Sequence, residues 1–159
     1  LRVSIGSDHA GFRLKGIILS WLQREGYEVE DCGTSDEASC DYPDYALHVA
    51  RSVQEGRSER GILVCATGVG MAICANKFKG IRAAVCNDLY TARFSRLHND
   101  ANVLCLGERV IGPGLALEIV ELWLKTPFEG GRHQRRVELI CSLEEGAGRE
   151  AGTVGGEVS

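Results

Sequence analysis

A thiol stands where an apolar run meets a glycine turn. Gly61-Ile62-Leu63-Val64-Cys65 leads into Ala66-Thr67-Gly68-Val69-Gly70 and then Met71-Ala72-Ile73. The residues before Cys65 read as a buried strand reaching the surface. Gly68 and Gly70 permit positive φ and expose successive amides. At the start of a helix, those amides and the helix dipole favour an anion. A cysteine placed there can serve as a base or a nucleophile. The plainer alternative is a buried strand thiol, the way Cys86 and Cys105 read. The loop is not a dinucleotide fingerprint, because the third glycine is missing, and the chain has no Gly-Lys-Ser/Thr phosphate loop.

Other chemistry-bearing residues are scattered along the chain. Asp8-His9 follows the first apolar run. Its carboxylate and imidazole suit sugar hydroxyls or proton transfer, and Asp8 equally suits a helix N-cap. His98-Asn99-Asp100 closes a helical stretch. His98 reads either as a dipole partner at a helix end or as a proton donor near the strand ends. Arg132 and Arg136 are four apart in the most basic stretch of the chain, so they share a helix face. Two guanidinium forks on one face make a phosphate clamp, although a solvated charge run is the commoner fate of such residues. Tyr42, in Tyr42-Pro43-Asp44-Tyr45, offers an aromatic wall or turn packing. The acidic residues Asp31, Asp41, Asp88 and Glu108 form no recognisable metal set, and no cysteine or histidine spacing suggests zinc.

These groups need a scaffold, and the chain alternates strand and helix patterns throughout. Strands are expected over residues 3–6, 27–31, 61–65, 82–86 and 102–106. Helices are expected over 10–25, 44–55, 71–77, 90–97, 115–125 and 131–143, with a polar loop over 32–41. Gly26 has the position of a helix stop. Such alternation predicts an α/β fold: a three-layer α/β/α, Rossmann-like domain around a five-stranded parallel sheet with right-handed crossovers. Ligands of such sheets bind at the carboxyl ends of the strands. That gathers Ser7-Asp8-His9, residues 66–70, Asn87-Asp88 and Gly107-Glu108-Arg109. The last helix falls after the sheet is complete and is expected to pack outward on a second subunit. Residues 1–145 form one domain, and residues 146–159, rich in glycine and poor in apolar residues, read as a disordered tail.

A chain of 159 residues with 44% apolar and 25% charged residues is an ordinary globular domain. Its net charge of −4 argues against nucleic acid or an anionic membrane as partner. Seven cysteines cannot all pair within the chain, so reduced thiols and a cytoplasmic setting are expected. No apolar stretch is long enough to span a bilayer, and the start does not read as a signal peptide.

Taken in order, these segments resemble the ribose-5-phosphate isomerase B family, which includes the galactose-6-phosphate isomerase subunits. The matching pieces run over roughly residues 1–145. They are Ser7-Asp8-His9-Ala10-Gly11, Asp41-Tyr42-Pro43, Cys65-Ala66-Thr67-Gly68-Val69-Gly70, Ala75-Asn76-Lys77, Gly80-Ile81-Arg82-Ala83, Leu97-His98-Asn99-Asp100, Gly107-Glu108-Arg109-Val110 and Gly131-Arg132-His133-Gln134-Arg135-Arg136-Val137. The resemblance implies a metal-independent, cofactor-free aldose–ketose isomerase, a homodimer or dimer of dimers. It implies ribose 5-phosphate and ribulose 5-phosphate as substrates, in the non-oxidative pentose phosphate branch. By position, Cys65 is then the base between C1 and C2, and Thr67 assists proton exchange. The amides of Ala66, Gly68, Val69 and Gly70 hold the enediolate oxygen, and His98 opens the furanose ring. Asp8, His9, Tyr42 and Asn99 line the sugar. Arg109, Arg132 and Arg136 take the phosphate, some of them across a dimer interface.

Two positions sort the branches of that family. One branch places a glutamate base where this chain has Met71, which leaves Cys65 as the base here. The galactose-6-phosphate subunits generally lack the histidine and the paired arginines, which favours a pentose phosphate. Ala66 departs from the glycine of close relatives, and an alanine forced to positive φ there would be strained. A hexose phosphate such as allose 6-phosphate, or sugar-phosphate binding with little catalysis, therefore stand as the alternatives.

Overall fold

The computed structural model describes residues 1–146; the tail expected over 146–159 lies, apart from Gly146, outside the described residues. Five strands, β1 (Arg2–Ser7), β2 (Glu28–Asp31), β3 (Arg60–Cys65), β4 (Ala83–Val85) and β5 (Val103–Gly107), form one sheet. Six helices connect or follow them: α1 (Phe12–Arg24), α2 (Tyr42–Gln54), α3 (Val69–Ala75), α4 (Leu89–Leu97), α5 (Pro113–Lys125) and α6 (Arg132–Leu143). All strand pairings are parallel, in the order β2-β1-β3-β5-β4. The expected α/β sandwich is therefore present. β5 inserts between β3 and β4, so β4 is an edge strand paired only with β5.

The pleat divides the core. Ile62 and Val64 of β3 and Leu104 and Leu106 of β5 face α1 and α5, packing with Leu14, Ile18, Leu22, Ile119 and Trp123. Leu63, Cys65, Val103 and Cys105 point the other way, onto α2 and α3, with Val49, Ala50, Met71 and Ala75. The two-residue period of a strand fixes this alternation. It puts Cys65 on the α3 side of the sheet. Met71 is fully buried in that layer, so it works as packing.

Local sequence explains the element ends. In α1, Leu14, Ile18 and Leu22 recur every four residues and form one buried stripe. Gly26, at φ +82°, ends the helix as Tyr27 N–H donates to the Leu22 carbonyl. α2 starts two residues before the expected boundary, at Tyr42, because Pro43 fits the first turn, where no N–H is required. The N-terminal turn of the first helical segment is a separate 3₁₀ turn, His9–Gly11, followed by α1. α6 buries only His133 and Val137, and Ile140 and Leu143 face outward. No described helix is long and apolar enough to cross a membrane.

Candidate active site

Parallel order gives the sheet two unlike edges. Each strand-to-helix loop lies at the carboxyl edge, and each helix-to-strand loop lies at the amino edge. The sequence-derived site residues divide between them.

The carboxyl edge gathers the expected loops by direct bonds. Glu108 N–H donates to the Cys65 carbonyl at 2.9 Å and Arg109 N–H to the Ala66 carbonyl at 3.1 Å. Gly107 N–H donates to Asn87 Oδ1 at 3.1 Å, and the Glu108 carboxylate accepts Leu14 N–H at 3.0 Å. Cys65, 5% exposed, accepts Gly68 N–H on Sγ at 3.1 Å. That bond aims the sulfur at the loop mouth. Gly68 is the N-cap of α3, at φ +81°, a conformation that disfavours any side chain. A Cβ there would also meet the β5 backbone at 3.1 Å. Thr67 is exposed, and its Oγ1 accepts Val69 N–H at 3.3 Å. Ala66 is free of the strain expected of it, since Asp100 is the sole non-glycine with positive φ among the described residues. Gly68 absorbs the tight turn instead.

Asp8 caps the first turn: its Oδ1 accepts from Ala10 N–H at 3.0 Å and Gly11 N–H at 3.1 Å. The capping role is therefore realised, and it fixes the carboxylate beside the site. His9 is oriented by the 32–41 loop, because Cys40 N–H donates to its Nδ1 at 3.2 Å. A neutral His9 then carries its proton on Nε2. The loop is itself anchored by buried Lys15, whose Nζ donates to Asp31 at 2.8 Å and to the Thr34 carbonyl at 2.9 Å. Tyr42 lies against the glycine loop, where a Cβ on Gly70 would approach its ring to 2.8 Å. Sequence reasoning missed Lys15 and Cys40; a lysine inside the apolar stripe of α1 was the available signal.

His98, Asn99, Arg132 and Arg136 are elsewhere: as a proton donor His98 is expected near the strand ends, and it lies beside strand beginnings instead. The reason is parity: α4 starts after β4 and runs back, so its last turn precedes β5. The turn after His98 is tied to strand beginnings. Arg82 Nε donates to the Asn99 carbonyl at 3.1 Å, and Asn102 joins the start of β3 through Gly61 N–H at 2.9 Å. Glu129 N–H donates to the Leu97 carbonyl at 3.1 Å, bringing the start of α6 to the same edge. Strands of six and five residues put the two edges roughly 16–20 Å apart.

At this amino edge the His98 and His133 rings stack, centroids 4.0 Å apart and planes 11° from parallel. Glu129 Oε2 stands 3.8 Å from His98 Nε2 and 3.7 Å from His133 Nε2. Arg132 Nε donates to His133 Nε2 at 3.4 Å. Loss of hydration, then the neighbouring His98, with Arg132 and Arg136 adding to it, hold the His133 imidazolium below its ordinary range, against the pull of Glu129. Glu129 and His133 were not singled out from sequence. Their spacing of four residues, next to Arg132, was the signal.

A parallel α/β sheet carrying a thiol, a hydroxyl and an amide loop at its strand ends is the framework of an enzyme acting on a small anion. Comparison with known proteins gives the class. Residues 3–140 match the ribose/galactose isomerase family, and the chain belongs to it. It is 51% identical over 144 residues to the ribose-5-phosphate isomerase B of Escherichia coli, covering 91% of this chain and 97% of the relative. It is 46% identical to a D-erythrulose-4-phosphate isomerase of Pectobacterium atrosepticum, over 91% and 95% of the two chains. The solved ribose-5-phosphate isomerase B of Clostridium thermocellum superposes with a TM-score of 0.91 at 53% identity, covering 93% of this chain and 100% of that one.

Proposed function

We propose that the protein interconverts D-ribose 5-phosphate and D-ribulose 5-phosphate as a homodimer, each site combining the Cys65 edge of one copy with the His98 edge of the other. The observation that carries this reading is the Cys65 sulfur, held by Gly68 N–H at the mouth of the amide loop, in a chain half identical to a ribose-5-phosphate isomerase B. The two-copy arrangement draws support from apolar surface at both edges. Val69 and Ile73 on α3 and Ile140 and Leu143 on α6 are exposed. An isologous twofold contact covers both faces and completes two sites at once.

The chemistry follows from the parts. His98 passes a proton to the ring oxygen as the C1 hydroxyl proton passes to the Asp8 carboxylate, and the C1–ring oxygen bond breaks to give the open-chain aldehyde. Cys65, as thiolate, then takes the C2 proton. The C–H electrons form the C1–C2 double bond, and the carbonyl π pair moves to O1. The amides of residues 66–70 hold the resulting enediolate, as an oxyanion hole does. Return of the proton to C1, with proton exchange between O2 and O1 assisted by Thr67, yields the ketose. Arg109, Arg132 and Arg136 bind the phosphate, whose binding energy orients the small substrate. Asp8, His9, Tyr42 and Asn99 line the sugar.

Isomerisation of ribose 5-phosphate by purified protein tests the reading; a folded protein without it overturns the proposal. The 46% identity to a D-erythrulose-4-phosphate isomerase motivates a second reading, a sugar phosphate of another length. The ranking of kcat/KM over four-, five- and six-carbon phosphates, allose 6-phosphate included, decides between the two. A cytoplasmic location completes the proposal.

A further inference from the structure

We infer that His98, Glu129 and His133 form a binding site for a zinc-class divalent cation, and that the bound ion disables the proton-transfer histidine. The site itself stands on geometry alone; the inhibitory consequence rests on the isomerase reading above.

Two imidazole nitrogens and one carboxylate oxygen make a zinc donor set that leaves a fourth position for water. The three donor atoms all lie within 4.8 Å of one another. Glu129 Oε2 sits between the nitrogens, at 3.8 and 3.7 Å. Tetrahedral zinc with bonds of about 2.0–2.1 Å wants its donors about 3.3 Å apart. The two carboxylate contacts therefore close by about half an ångström, and the nitrogen pair by up to about one and a half. His133 is buried, a rigid first ligand. His98 and Glu129 are more exposed and free to adjust.

Two features oppose capture. Stacked rings aim their lone pairs side by side, so His98 must pivot toward Glu129. Arg132 occupies the His133 Nε2 lone pair at 3.4 Å and must swing aside. Arg132 is exposed, and that long bond is weak. A cation thus displaces the arginine, takes both nitrogens and leaves His98 no free Nε2. The same event moves one of the proposed phosphate ligands.

Calorimetric titration of metal-free full-length protein with zinc chloride tests the site. One ion per chain is expected, with affinity reduced roughly tenfold or more in both Glu129→Gln and His133→Asn, circular dichroism verifying the fold of each. Cobalt(II) replacing zinc is expected to show four-coordinate ligand-field bands without thiolate charge transfer. A thiolate band, no zinc binding, or unchanged zinc affinity in the two variants overturns the site, whether or not the protein isomerises sugars. Zinc is further expected to slow ribose 5-phosphate turnover in the wild type, reversibly on chelation. In Glu129→Gln, judged against that variant's own metal-free rate, the effect is expected to fall away. Zinc bound at full occupancy with undiminished turnover overturns the inhibitory role.

Discussion

The two edges of the sheet are built by different means. At the carboxyl edge, backbone groups and a glycine shape the Cys65 loop itself: Glu108 and Arg109 amides bond the Cys65 and Ala66 carbonyls, and Gly68 adopts positive φ. At the amino edge, side chains do it. Asp100 adopts φ +46° just after His98-Asn99, and two arginines hold its carboxylate. Arg96 donates to Oδ1 at 2.8 Å and to the Ala101 carbonyl at 2.6 Å, and Arg82 reaches Oδ2 at 3.1 Å. Arg96 is almost fully buried and lies over the Trp123 ring, 5.7 Å from its centroid. The loop with the proposed base is therefore most sensitive to change at Gly68. The edge with the proposed ring-opening acid depends on a buried arginine paired with a half-buried carboxylate.

Breaking the chemistry at each edge separately gives the largest effects. Cys65→Ala is expected to lower kcat by roughly 10⁴-fold, and His98→Asn by about 10²-fold on the cyclic sugar. Equal mixing of the two variants, unfolded and refolded together, is expected to regain about a quarter of wild-type activity, since half the dimers then hold one intact site. A mixture no better than its components sinks the shared-site arrangement. Next comes the Arg96–Asp100 pair. Arg96→Met leaves Asp100 to Arg82 alone and the Thr126 and Ala101 carbonyls without their donor, and is expected to cost about 2–3 kcal/mol, a fall in Tm of roughly 6 °C, while Arg96→Lys restores part of it. Gly68→Ala is smaller in stability, about 1–2 kcal/mol from the left-handed backbone. It is nonetheless expected to lower kcat more than KM rises, because it moves the amide on the Cys65 sulfur.

The smallest effect is a pH dependence of stability. Folding depresses the His133 pKa, so the unfolded chain binds that proton more readily. Its contribution is complete above the unfolded value near about 6.5 and is lost as pH falls from there through the lower folded value. The groups facing it are His98, Glu129, Arg132 and Arg136. Tm measured down that range is expected to fall more steeply for wild type than for His133→Asn; parallel curves refute the assignment.

Much of this was legible in the residues. Apolar period marked every strand and helix within a few residues, and glycine placement beside Cys65 marked the carboxyl-edge loop. The position of His98 was legible too, through loop parity: a residue that follows a helix and precedes a strand belongs to the amino edge. Reading it near the strand ends passed over that rule. The left-handed turn at Asp100 and the burial of Arg96 depend on contacts between α4, α5 and two strand beginnings. No local pattern records those contacts.

The insertion of β5 between β3 and β4 bears on how the chain acquires its shape. β1, β2 and β3 can pair in the order in which they emerge during synthesis. β4 has nothing to bond until β5 exists, so the segment from residue 83 to residue 102 waits unpaired while the first half is already assembled. Pulse-labelled amide exchange during refolding is expected to find β4 protected no earlier than β5, and earlier protection of β4 would show a different order of assembly. The His98 turn lies within that waiting segment, so the proposed ring-opening acid is among the last parts to be positioned.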